Sequence, residues 1–108
     1  MKEWHIKHMQ DTIIKYLTGL PENANRFQRK LHKKYGNITQ VTKRIEYDLK
    51  HGVERSEVLT FLTAIKSNKT FSELRKTDGF EDRLNALELT FINTDSKITA
   101  LLSFSHNF

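Results

Sequence analysis

Asn37-Ile38-Thr39-Gln40-Val41-Thr42-Lys43-Arg44-Ile45-Glu46-Tyr47-Asp48-Leu49-Lys50-His51-Gly52 is the stretch on which the fold turns. Ile38, Val41, Ile45 and Leu49 recur at steps of three and four, which is the spacing of one helix face. Asn37 stands where a cap accepts the first free N–H, with Gln40 at the reciprocal position of a capping box. Gly52 supplies the stop. Lys43, Arg44, Tyr47 and Lys50 lie off the apolar stripe.

The same period continues on either side. Toward the N-terminus, Phe27, Leu31 and Tyr35 lie four apart in a helix expected over 22–35 and ended by Gly36. Arg26, Arg29, Lys30 and Lys33 fall largely opposite, so this helix is amphipathic with a cationic face. Ile6, Met9, Ile13, Leu17 and Leu20 mark an earlier helix, stopped by Gly19 and Pro21. Toward the C-terminus, Val58, Leu59, Phe61, Leu62, Ala64 and Ile65 cover more than half a helix circumference, which predicts the central and most buried element. Thr70-Phe71-Ser72-Glu73 matches a capping box and predicts a short helix to about Lys76. Asp78-Gly79 is a turn signal.

The last thirty residues carry two periods at once. Phe80, Leu84, Leu87 and Phe91 have helical spacing, which favours a helix over 80–90. Leu87, Leu89 and Phe91 also alternate, as do Ile98, Ala100, Leu102 and Phe104, with Asn93-Thr94-Asp95-Ser96 as a turn between them. The expected fold is therefore all-α, a compact bundle of four to five short helices forming one domain over 1–108. The alternative is α+β with a C-terminal β-hairpin over about 87–104. The expected core is Ile13, Leu17, Phe27, Leu31, Val41, Ile45, Leu49, Val58, Phe61, Leu62, Ile65, Leu84 and Leu87. Trp4, near the chain end, is expected to dock on it.

Composition narrows the class. The chain has 108 residues, 37% of them apolar and 29% charged, a balance that suits a folded and water-exposed domain. It contains no cysteine, which removes thiolate zinc sites and a cysteine nucleophile and favours a reducing compartment. No apolar run approaches the roughly 18 residues of a membrane-spanning helix. Met1–His8 carries charge where a secretion signal needs an apolar stretch. A cytoplasmic location with no membrane association follows as the expectation.

Net charge is +5, and its distribution is uneven. Between Arg26 and His51 stand eight of the 18 Lys and Arg residues (Arg26, Arg29, Lys30, Lys33, Lys34, Lys43, Arg44, Lys50) against two of the 13 acids, Glu46 and Asp48. The excess positive charge thus sits in one quarter of the chain, where it would attract a polyanion. Two short helices joined through a glycine resemble a helix-turn-helix. That resemblance implies that the second helix enters a major groove, with Thr39, Gln40, Lys43, Arg44 and Tyr47 as its exposed readers. Gln pairs with adenine, and Arg or Lys with guanine. Arg26, Arg29, Lys30, Lys33 and Lys34 would meet phosphates, and Lys50 belongs to the same nucleic-acid-binding set. His32, Asn37 and Thr42 depart from the motif's usual small and apolar residues.

The other constellations have plainer readings. Residues 70–104 would resemble a winged helix only with the C-terminal hairpin, and Glu81, Asp82 and Glu88 against Arg83 give the wrong charge for a groove. His5, His8 and Asp11 share a helix face, but lack the His-Glu-x-x-His pattern of zinc proteases. Glu81 and Asp82 suit the first turn of a helix. No Gly-rich phosphate loop or nucleophile elbow occurs. The expectation is a non-enzymatic, cofactor-free regulatory protein binding nucleic acid, DNA ahead of RNA. The competing expectation is an inhibitor or adaptor gripping an acidic protein surface. Trp4, Phe104 and Phe108 near the termini also leave room for a homodimer.

Overall fold

The structure is a computed structural model that describes residues 2–106, with side-chain surroundings given for residues 3–94. Its elements are α1 (Lys2–Thr18), α2 (Arg26–Tyr35), α3 (Ile38–Lys50), α4 (Arg55–Ser67), a 3₁₀ turn (Lys69–Phe71), α5 (Ser72–Arg75) and α6 (Phe80–His106). No strand occurs among the described residues, and the fold is all-α.

The hairpin alternative is overturned. Residues 80–106 form one helix, which at about 1.5 Å per residue extends roughly 40 Å, so the last element is not short. Neither Gly nor Pro interrupts this run. Phe80, Leu84, Leu87, Phe91 and Thr94 follow the helical period and are all buried. Leu89, which the alternating pattern would place beside Leu87 and Phe91, is 62% exposed. Burial on one helical face thus outweighs the turn propensity of Asn93–Ser96.

The helix at the centre is α3, which packs against both α1 and α6. Met9, Ile13 and Leu17 of α1 meet Val41 and Ile45 of α3 and Leu84 and Leu87 of α6 in one apolar cluster. The expectation that Val58–Ile65 forms the central element is corrected, since the centre lies at α3, although α4 does bury four residues. Val58, Phe61, Leu62 and Ile65 reach the core, but Leu59 is exposed. Among the elements that follow it, α4 packs against the 3₁₀ turn and α5, with Phe61 edge-on to Phe71 at 5.8 Å.

The expected core fails most clearly at α2, which has no buried residue. Phe27 is 68% exposed and Tyr35 46% exposed, while Leu31 is half-buried. The helix begins at Arg26 rather than near Glu22, because Asn25 and Gln28 form a reciprocal capping box of 2.8 and 2.9 Å. Phe27 therefore falls in the first turn, away from the Gly36 joint. Five of the ten residues are Lys or Arg, and sinking them deeper would cost their hydration. Leu49 is likewise half-buried rather than in the core.

Two arginines close helix ends that sequence periodicity leaves open. Arg75 donates to the Ile65 and Asn68 carbonyls at 2.7 and 2.9 Å, at the end of α4. Arg83 donates Nε to the Leu17 carbonyl at 3.0 Å and Nη2 to the Asp78 carbonyl at 2.7 Å, tying the end of α1 to the turn before α6. Gly19 (φ +74°) and Gly79 (φ +78°) make this approach feasible: a Cβ at either would stand 2.8 Å from the guanidinium. Burial pushes the Tyr16 hydroxyl above its ordinary pKa, and the Arg83 charge pulls the other way. Arg83→Ala is expected to lower unfolding free energy by about 1–3 kcal/mol, since two carbonyls lose a charged donor. Urea unfolding followed by circular dichroism measures it.

Candidate nucleic-acid interface

The site is organised by a buried ion pair one turn long. Asp48 falls among the apolar positions of α3, and its side chain is wholly buried. Arg44, four residues earlier, meets it with Nε 2.9 Å from Oδ2 and Nη2 2.9 Å from Oδ1. His5 of α1 brings Nδ1 to 3.2 Å from Nη2 and 3.3 Å from Oδ1. In either protonation state Nδ1 has a partner here, accepting from the guanidinium or facing the carboxylate. The guanidinium carbon also lies 5.6 Å from the Trp4 ring centroid and 5.3 Å from that of Tyr47.

Aromatic rings extend this cluster to the surface. Trp4 stacks on His8 with centroids 5.1 Å apart, and Tyr47 stacks on His51 at 3.9 Å. Trp4 is 59% exposed, so the expectation that it docks on the core is corrected: it caps the Arg44 guanidinium and the His8 ring at the edge of the protein. His5 and His8 turn to different partners, and no group of three metal-ligating side chains occurs among the described residues. Of the other apolar residues near the termini, Phe104 lies outside the described side chains and Phe108 outside the described residues.

The nominated basic residues separate into three kinds. Arg26, Arg29, Lys30, Lys33 and Lys34 are exposed along α2, as is Lys43 on α3. None of these six has a carboxylate partner among the described residues. Lys50 pairs with Glu46 at 3.0 Å on the surface of α3. Arg44 is held by Asp48 and is only 17% exposed, so its charge is largely spent inside the protein. Thr39 is exposed and Gln40 half-buried, with the Gln40 backbone N–H donated to Asn37 Oδ1 at 3.1 Å.

Gln40, Lys43, Arg44 and Tyr47 share one face of α3, and that face lines a trough rather than a convex surface. His8 and Thr12 of α1 form the opposite wall, and Tyr35 at the end of α2 closes one end, around a cavity of about 260 Å³. A second cavity of about 390 Å³ shares His8, Thr12 and Tyr35 and continues to Asp11 and Lys15. Lys15 Nζ and Lys34 Nζ lie 5.5 and 5.0 Å from the Tyr35 ring centroid. Sequence reasoning missed the α1 wall, because residues 8, 12 and 15 stand off the stripe that defines that helix. It also missed Asp48, although an acid among apolar positions and four residues after an arginine was a legible sign of a buried pair.

The chain matches no protein-family model, no curated protein and no solved structure. Among the described residues no helix is long and apolar enough to cross a membrane. Asp48→Ala is expected to cost about 3–5 kcal/mol of stability, because it leaves Arg44 without its buried counter-charge. Lys50→Ala breaks an exposed pair and should cost less than about 1 kcal/mol. Parallel urea unfolding curves for the two variants make the comparison.

Proposed function

We propose that this is a small, cytoplasmic, regulatory protein that binds nucleic acid without catalysing a reaction. The observation that carries the reading is the six-cation surface of α2 and Lys43. Arg26, Arg29, Lys30 and Lys33 follow the i, i+3, i+4, i+7 order of one helix face, and Lys34 and Lys43 carry the charge toward the trough. Unpaired, hydrated cations gathered in this way release counterions when they meet a phosphate backbone, which supplies sequence-independent affinity. DNA is the first ligand to try. The readers nominated on α3 divide in this scheme: Lys43 contacts phosphate, Gln40 and Tyr47 line the trough, and Arg44 positions the aromatic rings around it. Thr39 stays at the exposed start of α3, and Lys50 remains with Glu46.

A second reading is supported by Phe27. An apolar ring 68% exposed amid cations suits an acidic protein partner with an apolar dent, and the protein would then act as an inhibitor or adaptor. A second copy of this chain would instead use Leu89 and Ile92, both exposed on α6.

Log affinity for DNA should fall linearly with log salt. Combined replacement of Arg29, Lys30, Lys33 and Lys34 by Ala should flatten that slope by about one unit per lost contact, while Lys50→Ala leaves it unchanged. Fluorescence anisotropy across a salt series provides the measurement. Absence of binding to any nucleic acid at about 150 mM salt would leave the protein-partner reading standing alone.

A further inference from the structure

We infer that the trough between α1 and α3 receives an unstacked base of a single-stranded nucleic acid, held between the Tyr35 and Tyr47 ends of the cavity while Lys15, Lys34 and Lys43 meet the flanking phosphates. This rests on the nucleic-acid reading above and narrows it to one strand state.

The shape of the site carries the argument. A major groove about 12 Å wide admits one helix whose reading side chains project outward. Here Gln40, Lys43 and Tyr47 face a second helix across the cavity, and α1 stands where a duplex would have to enter. Bases stacked and paired in a duplex reach a recess of this kind only by flipping out, at the cost of unstacking and unpairing. A base already splayed out of a single strand avoids that cost, and single-strand sites are built from aromatic rings beside cationic tracks. The trough has both. Tyr35 and Tyr47 are each 46% exposed, and Tyr47 is stacked on His51 at 3.9 Å, so each ring meets a ligand with the part its neighbours leave uncovered. Lys15 and Lys34 already stand over Tyr35, at 5.5 and 5.0 Å, which places charge where a phosphate on either side of the base would lie. Gln40 offers a side-chain amide toward the same cavity, with both donor and acceptor for a base edge. Asp11 is the one carboxylate lining the adjoining cavity, and it marks the end from which the strand is repelled.

Arg44 contributes by position. Its pairing with Asp48 keeps it from moving out to a phosphate, and its contacts with Trp4 and Tyr47 hold both rings at the rim. Trp4 is the chain's single tryptophan, so its fluorescence reports on this rim without labelling.

The test uses the full chain with a labelled thymidine oligonucleotide of about 12 nucleotides and a duplex of equal length. Anisotropy at about 0.1 M salt should show the single strand binding at least about tenfold more tightly. Tyr35→Ala should weaken single-strand binding about tenfold with no change in salt slope, because it removes a ring and no charge. Tyr35→Phe should keep the affinity, and duplex binding should be indifferent to both. Trp4 emission should change on addition of the single strand alone. Equal affinity for duplex and single strand, or unchanged affinity in both Tyr35→Ala and Tyr47→Ala, would overturn the base pocket while leaving α2 as a phosphate-binding surface. Failure to bind either probe would overturn the pocket and the nucleic-acid reading together.

Discussion

Asp48 places a carboxylate where water does not reach, on the helix that packs against both α1 and α6. Removing an ion of that size from water costs several kcal/mol, and a partner must restore most of it. Arg44 is the partner because a helix sets residues four apart on the same side. The two-point contact between guanidinium and carboxylate then fixes the direction of Arg44, and with it the place of everything that leans on the guanidinium. His5 and Trp4 of α1 and Tyr47 of α3 are all within contact of this one group. The pair does more for geometry than for net stability, since well-packed apolar residues can replace buried ion pairs at little loss. What apolar residues could not supply is a directional anchor for two aromatic rings at the rim of a trough.

A second anchor acts at the far end of α1. Arg83 reaches from α6 into the space left by two glycines and takes the last carbonyls of α1 and of the preceding turn. With His5 near one end of α1 and Leu17 near the other, this helix is held at both ends against the α3–α6 pair. The wall of the trough is thus a rigid element. By contrast α2 buries no residue and is connected to α3 through the short Gly36–Asn37 joint. Rigid recess and lightly held cationic arm are different devices, and they lie side by side because Tyr35, the last residue of the arm, is also the end wall of the recess.

Much of the fold was legible because helical periodicity survives without context. Ile13, Leu17, Val41, Ile45, Leu84 and Leu87 are core residues in the spacing that nominated them. The errors share a cause: a local pattern says which face is apolar, not whether a neighbour is there to cover it. Phe27 has impeccable spacing and is still 68% exposed, and Tyr35 stays 46% exposed at the end of the trough. Leu87, Leu89 and Phe91 alternate well enough for a strand, yet a strand needs a hydrogen-bonded partner, whereas a helix satisfies its backbone within itself. The candidate site was less legible still. The trough draws on residues 8, 12 and 15, 35, and 40 to 47, which only the packing of α1 on α3 brings together. Its α1 members carry no signal in a one-dimensional reading.

Charge shows the same limit in a form that can be resolved. The 26–51 segment holds eight cations and two acids, and net charge treats the cations as equivalent. The structure assigns both acids: Asp48 takes Arg44 and Glu46 takes Lys50. The six remaining cations of the segment are particular residues in particular places. Five belong to α2 and the sixth, Lys43, stands on the trough. Arg44, one of the candidate readers of guanine, already spends its Nε–H on Asp48 Oδ2 and sets Nη2 2.9 Å from Oδ1 inside the protein. A residue type suited to bidentate recognition of a base is equally suited to bidentate recognition of a carboxylate. Only the position of Asp48, one turn away and facing inward, decides between them.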